Sequence, residues 1–530
     1  MGLRLAQKKR VFALLAAAVL LSAALGACGS GQGTPETTSS PATTTAPQQK
    51  PPQTNTIALP FANRDVLNPY KLQTELNMEL HTLLYEGLFT TDDTFKAQPV
   101  LAKSIAQTDA LRWQITLQAG RVFHNGNPVA AADVLYSFEK ARGTTYYAAR
   151  LQNIASLREK DGKLELILHK ANQYIAANLD FPIVPVSSAE QGKLRQAKNG
   201  YLFTKDSTPV GTGRYALKTK DGAFVLQHNK QHPGKAPKLT TLTLFGVNNS
   251  DARLYGLELG KFSFAYDSLK DGQLVPLSFT PVKVPTRNLV FLGLHSSKGA
   301  LQNANFRAAL AACIDPSVVL SDAYHGYAEA SGTPFPPQWF GVTGADFAKP
   351  FNAAAATEAL VALGFDNLTN GVRASRYQTL RFTLLTDSGN PAKLSAAKTI
   401  KAQLARFNIK ITINAQNHSD YLKSINAGNF DLYIGEICLT PDCSLLPLLS
   451  SGGSASRGVQ TWGKAASTYG QLLQGLVSPA KFVSAFQEDV PFVPLGYRCG
   501  VAAAARGLRV PSGVRQNDLY CGIAQWEIKF

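Results

Sequence analysis

Six cysteines and eight histidines are the side chains of this 530-residue chain best suited to redox, metal or nucleophilic chemistry, and their spacing argues against most of it. Cys438 and Cys443 bracket four residues and could close a short disulfide loop, and Cys499 could meet Cys521, given an oxidising compartment. Cys313, in an apolar alanine-rich stretch, is then the odd thiol, buried and free. No second ligand pair stands at zinc-site spacing from Cys438 and Cys443, so neither a metal site nor a cofactor is expected. The histidines are scattered, and the chain has no Gly-x-Ser-x-Gly elbow, no His-Glu-x-x-His helix and no Walker-type phosphate loop. A secreted hydrolase stays open because triads assemble in space rather than along the chain.

The N-terminus carries a different kind of chemistry. Arg4, Lys8, Lys9 and Arg10 precede an apolar run, Val11 to Ala24, that is too short for a stable membrane span. Leu25-Gly26-Ala27-Cys28 resembles a bacterial lipobox, which implies removal of residues 1–27 and acylation of Cys28. Two or three acyl chains, at about 0.8 kcal/mol per buried methylene, hold a protein firmly on a bilayer. Residues 28–55 are rich in Pro, Thr, Ser, Gly and Gln, so they have nothing to bury and read as a disordered tether. The expected location is the outer face of the cytoplasmic membrane, the periplasmic side in a cell with an outer membrane. The formal charge is +17, but Lys and Arg are spread along the chain without a clustered, aromatic-interleaved face, so nucleic acid is not an expected partner.

From Thr56 on, strand and helix signals alternate without an internal repeat, which points to an α/β protein of two or three packed units. Ile57 to Pro60 reads as a strand, Glu75 to Tyr85 as a helix, and Arg112 to Leu117 alternates like a half-buried strand. Pro128 to Ala132 opens a helix that reaches about Arg142, with Val134, Leu135 and Phe138 on one face. Ala353 to Leu363 reads as a helix between the cap Asn352 and the stop Gly364. Leu380 to Leu385, a helix from Pro391 with Leu394, Ala397, Ile400, Leu404 and Phe407 on one face, and Ile409 to Ile413 make a right-handed parallel crossover. Ser419 to Ala427 and Phe430 to Ile434 extend it into a doubly wound sheet, whose ligands normally sit beyond the carboxyl ends of the strands.

Several segments occur in an order that carries a family resemblance: Leu67-Asn68-Pro69-Tyr70, Tyr85-Glu86-Gly87-Leu88, residues 98–102 (QPVLA) and residues 123–134 (FHNGNPVAAADV). Residues 209–215 (PVGTGRY), 305–315 (NFRAALAACID) and 489–495 (DVPFVPL) continue it. Together they resemble the family 5 extracellular solute-binding proteins of the oligopeptide, dipeptide and nickel type. The resemblance implies a bilobal, type II periplasmic-binding-protein-like α/β fold with an inserted subdomain and a hinge. It implies lobe I at 56–89, 208–285 and 488–530, an inserted subdomain at 90–207 and lobe II at 286–487. It also implies a non-enzymatic monomer that closes on a small-molecule or peptide ligand and hands it to the permease subunits of an ABC-type importer. A ligand-sensing lipoprotein on the same fold is the other open reading.

The resemblance places few residues at the ligand. Asn68 lies at the cleft edge, Tyr146 and Tyr147 follow the inserted subdomain's helix, and Tyr497 and Arg498 follow the late strand, where Arg498 could meet a carboxylate bidentately. Peptide-binding members carry an amine-pairing acid in the segment matching residues 435–442, but here Leu439 stands at that position and Glu436 where tryptophan is common. Either Glu436 or Asp442 supplies the charge, or the ligand has no free α-amine.

Overall fold

The computed structural model describes residues 56–187, 194–197, 200–203, 208–247, 253–270, 272, 278, 280–342, 347 and 350–529; the expected leader, Cys28 and the tether lie outside them. After strand β1 (Ile57–Ala62) the chain builds a small antiparallel sheet from β2 (Ala102–Gln107), β3 (Arg112–Leu117), β4 (Ile154–Lys160) and β5 (Lys163–Leu168), in the order β2-β3-β5-β4. The alternation read in β3 is real: Trp113 and Ile115 are buried while Arg112 is exposed. Helix α1 (Ala131–Arg142) covers this sheet with Val134 and Phe138, both buried, and the Asp133 carboxylate accepts from the Ala130 N–H at 2.9 Å to hold its first turn.

The chain then returns to β1. Strands β6 (Tyr215–Lys220), β7 (Ala223–His228) and β8 (Thr241–Val247) give a second sheet ordered β1-β8-β7-β6, with β1 parallel to β8. Gly211 and Gly213 fix the approach to β6, because a Cβ at either would lie within 2.5 Å of the carbonyl oxygen of Leu84 or Leu83. Only glycine lets those backbones touch.

The third sheet combines β9 (Phe264–Asp267), β10 (Val282–Leu294), β11 (Arg381–Asp387), β12 (Lys410–Gln416), β13 (Leu432–Cys438) and β14 (Phe492–Ala504). Their order is β9-β14-β10-β13-β11-β12, and a short strand, Ala328–Ala330, pairs with β14. β11 runs parallel to β12 and to β13, as the crossover pattern requires. Helices α2 (Ala304–Ala312), α3 (Pro316–Tyr324), α4 (Ala353–Ala362) and α5 (Pro391–Ala405) contribute to the core on one face, and α6 (His418–Ala427) to the core on the other. Asn352 and Asn390 cap α4 and α5 by accepting from Ala355 and Lys393 N–H groups, and Gly364 stops α4 at φ +80°. On α5, Ala397, Ile400 and Leu404 are fully buried. Each such aliphatic side chain contributes roughly 1.5–3 kcal/mol, so Ile400→Ala costs more than any cap.

On one face of the sheet, two cores divide the length of β10 and β14. Val284 and Ala502 pack with Leu59, Tyr215, Tyr266 and Trp526, whereas Val290, Leu292 and Leu495 pack with Phe306, Ile400 and Leu432. Register shifts between Val284 and Asn288 and between Val290 and Phe291 mark where the strands pass from one core to the other. The fold is therefore bilobal, with strands shared between the lobes. Arg307 ties α2 to the start of β14: it is fully buried and donates to the carbonyls of Asp489, Val490 and Leu301.

Two expectations change. The helix expected from Glu75 to Tyr85 is two short turns, Glu75–Glu79 and His81–Leu84, divided at the wholly buried Leu80. Neither expected disulfide forms: Cys438, Cys443, Cys499 and Cys521 are free, as is Cys313. Cys443 points into an aromatic core from a left-handed backbone while Cys438 ends β13 in the open, so the two thiols diverge. Cys499 is sealed within β14, where burial pushes its thiol up to about 12, and Cys521 sits half-buried in the C-terminal segment.

Candidate functional site

Where β10 and β14 cross between the lobes, the sheet turns Glu436 of β13, Asn288 of β10 and Arg498 of β14 towards one face. Asn288 lies opposite Arg498 on one side and Cys438 on the other, and Val290 lies opposite Glu436. Arg498 Nε donates to Glu436 Oε1 at 2.7 Å, with the two side chains only 5% and 13% exposed. A second nitrogen, Nη1, donates to the carbonyl of Ser268, which follows β9. Burial opposes the Arg498 charge, but Glu436 beside it prevails and holds the guanidinium above its ordinary value. Tyr266 of β9 and Tyr324 at the end of α3 flank this pair. Both hydroxyls are pushed above the ordinary phenol range by burial, and neither has a hydrogen-bond partner among the described residues.

The carboxyl ends of the parallel strands form the next stretch of the same seam. Asp387 ends β11 and pairs with His418 at 2.7 Å, while also accepting from the Gly389 N–H. Lys393, in the first turn of α5 and 9% exposed, lies 5.4 Å over the Tyr421 ring. Asn390 Nδ2 donates to the Lys270 carbonyl at 3.1 Å, and a Cβ on Gly272 would come within 2.5 Å of Ala392. The loop after β9 therefore rests directly on the start of α5. This is where an open α/β sheet normally offers a ligand site.

On the inserted subdomain's side, Tyr147 is buried between Tyr70, at 5.9 Å in an edge-to-face contact, and Arg150, 5.0 Å from its ring. Its hydroxyl meets His81 Nδ1 at 3.4 Å. Burial drives the His81 imidazole down to about 3, so the ring is neutral. Arg150 is clamped by both Asp180 oxygens at 2.6 and 2.7 Å. It keeps its charge against burial through Asp180.

The expected residues therefore fall into four places. Glu436 and Arg498 meet at the seam. Tyr497, the next residue on β14, points to the opposite face, where its hydroxyl donates to the Pro334 carbonyl at 2.7 Å. There it borders a separate cavity of about 220 Å³ lined also by Phe95, Arg287, Glu329, Cys499 and Asn517. Asp442 is also away from the seam: it takes hydrogen bonds from Asn172, Thr440 and the Ser444 N–H, and its own N–H reaches Asn178. Burial raises its carboxyl above the ordinary value against the hydrogen bonds that lower it. Asn68 holds a turn through the Tyr70 N–H, and Tyr146 is half-buried against the inserted subdomain's core. Sequence reasoning missed Tyr266, Ser268, Tyr324 and Lys393. Spacing gives no sign of them, since they come from both lobes and meet only on folding.

A family model described as "Bacterial extracellular solute-binding proteins, family 5 Middle" matches residues 96–456, well over half of the chain. The oligopeptide-binding protein AppA of Bacillus subtilis is 23% identical over 380 residues, covering 67% of this chain and 68% of that protein. The nickel-binding protein NikA of Staphylococcus aureus is 23% identical over 387 residues, covering 71% and 73%. Among solved structures, a nickel ABC transporter protein of Bacillus halodurans superposes with a TM-score of 0.71 at 18% identity, over 90% of this chain and 100% of that one.

Proposed function

Because the chain belongs to the bacterial extracellular solute-binding proteins of family 5, and has their type II periplasmic-binding-protein fold, we propose that it captures a peptide or peptide-like solute between its lobes and delivers it to an ABC-type permease. The observation that carries this reading is the seam itself: where two cores share strands, Arg498 of β14 joins Glu436 of β13 to the Ser268 backbone that follows β9. A solute bound there contacts both halves, so it favours the closed form by its differential affinity, and a permease can read that form. Relatives named for oligopeptides and for nickel support a solute that is small and polar.

The working division is lobe I at 56–89, 208–285 and 488–530, an inserted subdomain at 90–207 and lobe II at 286–487. The shared packing of Tyr266, Val284 and Ala502, apart from that of Val290, supports it, while Val490, Val493 and Leu495 pack with lobe II, so β14 enters lobe I only along its later half. Acylation of Cys28 keeps the protein at the outer face of the cytoplasmic membrane, with residues 28–55 as the tether; no helix among the described residues is long and apolar enough to cross a membrane. The protein acts as a monomer and makes no covalent change to its solute.

X-ray scattering combined with native mass spectrometry tests this. A single bound solute per molecule and a smaller radius of gyration when loaded are expected. Identical dimensions with and without peptides, amino acids or metal chelates, and no retained mass, would overturn it.

A further inference from the structure

We propose that the end of lobe I at which the tether joins is a docking face for anionic phospholipid headgroups, and that it rests on the bilayer with the interlobe seam turned away. This rests on the acylation of Cys28 proposed above, which brings the chain to a membrane, and adds which surface it presents there.

Strands β1 and β8 run parallel, from Ile57 and Leu242 to Ala62 and Val247, so both start at one end of their sheet. Residues 28–55 join the chain at that end. Lys238 lies three residues before β8, and its N–H donates to the Ala524 carbonyl at 3.4 Å. The Ser263 N–H donates to the Ala58 carbonyl at 2.8 Å, and the Ser263 carbonyl accepts from the Ala505 N–H at the same distance. The Gly507 carbonyl accepts from the Lys529 N–H at 2.7 Å. These contacts gather four stretches of chain, and each brings exposed cations: Lys235 and Lys238, Lys261, Arg506 and Arg509, and Lys529. Lys235, Lys238 and Arg509 line an open groove of about 520 Å³ with Pro511 and Ala524. Its one acid, Glu527, is shared by Lys238 and Lys529, and Glu258 near Lys261 is held by the Ser278 hydroxyl. Lys235, Lys261, Arg506 and Arg509 have no ion-pair partner among the described residues. Beside Lys261, Leu259 is 70% exposed and Tyr255 is 56% exposed.

Each Lys or Arg held near an anionic bilayer adds about fivefold in affinity. Four unpaired cations make a contact that is weak for a free molecule but effective for one already confined by its anchor. A tether leaves the domain's orientation open, and a one-sided charge selects it. Leu259 and Tyr255 favour lipid over a soluble polyanion, because apolar and amphipathic side chains gain by entering the headgroup boundary. The other end of β1 then points away from the bilayer. Beyond it, Glu75 pairs with Lys270, whose carbonyl accepts from Asn390 at the seam. Six residues of strand, about 20 Å, lie between the lipid and that side of the molecule. The cleft is thus kept open to arriving solute.

The test uses the full chain and its Cys28→Ser form, which cannot be acylated, with vesicles of phosphatidylcholine alone or mixed equally with phosphatidylglycerol. The acylated chain on neutral vesicles reads the anchor; the Cys28→Ser chain on anionic ones reads the face. At about 50 mM salt the Cys28→Ser chain should bind anionic vesicles about tenfold or more tightly than neutral ones, and about 500 mM salt should abolish the difference. Lys235→Glu, Lys261→Glu and Arg509→Glu together should weaken anionic binding by about tenfold or more, with melting temperature and solute affinity unchanged. Lys398→Glu, Lys401→Glu and Lys410→Glu on lobe II, the same change in net charge, should cost less than about threefold. Hydrogen exchange on vesicles should slow at residues 235–241 and not at 387–393. Equal losses in the two triple variants, equal binding to neutral and anionic vesicles, protection at 387–393, or tighter binding of soluble poly(glycerol phosphate) than of vesicles would overturn the proposal and leave solute capture and anchoring as they stand. Failure of the acylated chain to hold to neutral vesicles would overturn the anchor, and with it the premise of a membrane-facing end.

Discussion

Glu436 and Asp442 stand six residues apart in one segment, and both are acids that sequence alone nominates for the same task. Glu436 lies near the end of β13, and its partner Arg498 on β14 also donates to the Ser268 carbonyl. Asp442 lies in a sealed turn, where Asn172, Asn178, Thr440 and Ser444 use it to fasten the inserted subdomain to lobe II. The first acid has one charged partner and two neighbouring hydroxyls still open. The second has its acceptors filled by neutral donors. An acid can serve a ligand only where folding leaves its surroundings incompletely satisfied.

The contrast can be broken or sharpened by substitution. The largest effect is expected from Arg498→Met, which strands Glu436 in a nearly dry seam and should cost about 3–5 kcal/mol in urea unfolding. Adding Glu436→Met should restore most of it, and failure of that rescue would mean the pair is not a unit. Asp442→Ala comes next, at about 2 kcal/mol, since it leaves the Asn172 amide and the Thr440 hydroxyl without their acceptor. Its solute affinity should stay within about twofold of the parent; a selective loss of binding would move Asp442 back to the ligand.

Acid should act on neither place first but on the buried histidines beneath lobe I and the inserted subdomain. Burial lowers His81 to about 3 and His124 to about 4, both below the ordinary 6.5. The unfolded chain therefore takes up protons that the folded chain refuses. Stability is whole above about pH 6.5 and falls as the pH drops towards those values, by up to about 1.4 kcal/mol per pH unit for each ring. Urea midpoints across pH 7 to 5 measure the slope, and His81→Leu should remove one proton from it. The smallest effect concerns the thiols: with the five among the described residues free, dithiothreitol should leave the melting temperature unchanged. A fall of several degrees would reveal a bridge after all.

Much of lobe II was legible because its signals are local. Pro391 after Asn390, apolar steps of three and four along α5, and β-rich runs on either side give the crossover before any contact is known. Gly364 and Asn352 did for α4 what their types allow. The segment after Thr74 was misread because an apolar run long enough for one helix is divided at Leu80. The disulfides were misread because spacing counts residues, whereas bridging depends on where Cβ vectors point.

The chain's own order of residues determined the α/β class, the crossover in lobe II and the segments that carry the family resemblance, since periodicity, caps and turn residues act over a few positions. Tertiary structure alone decided which charges matter. Strand alternation sends Tyr497 to one face and Arg498 to the other, a sealed turn hides Asp442, and folding brings Glu436 and the Ser268 backbone to the same guanidinium. Those outcomes depend on register and on contacts between distant segments, which no local pattern encodes.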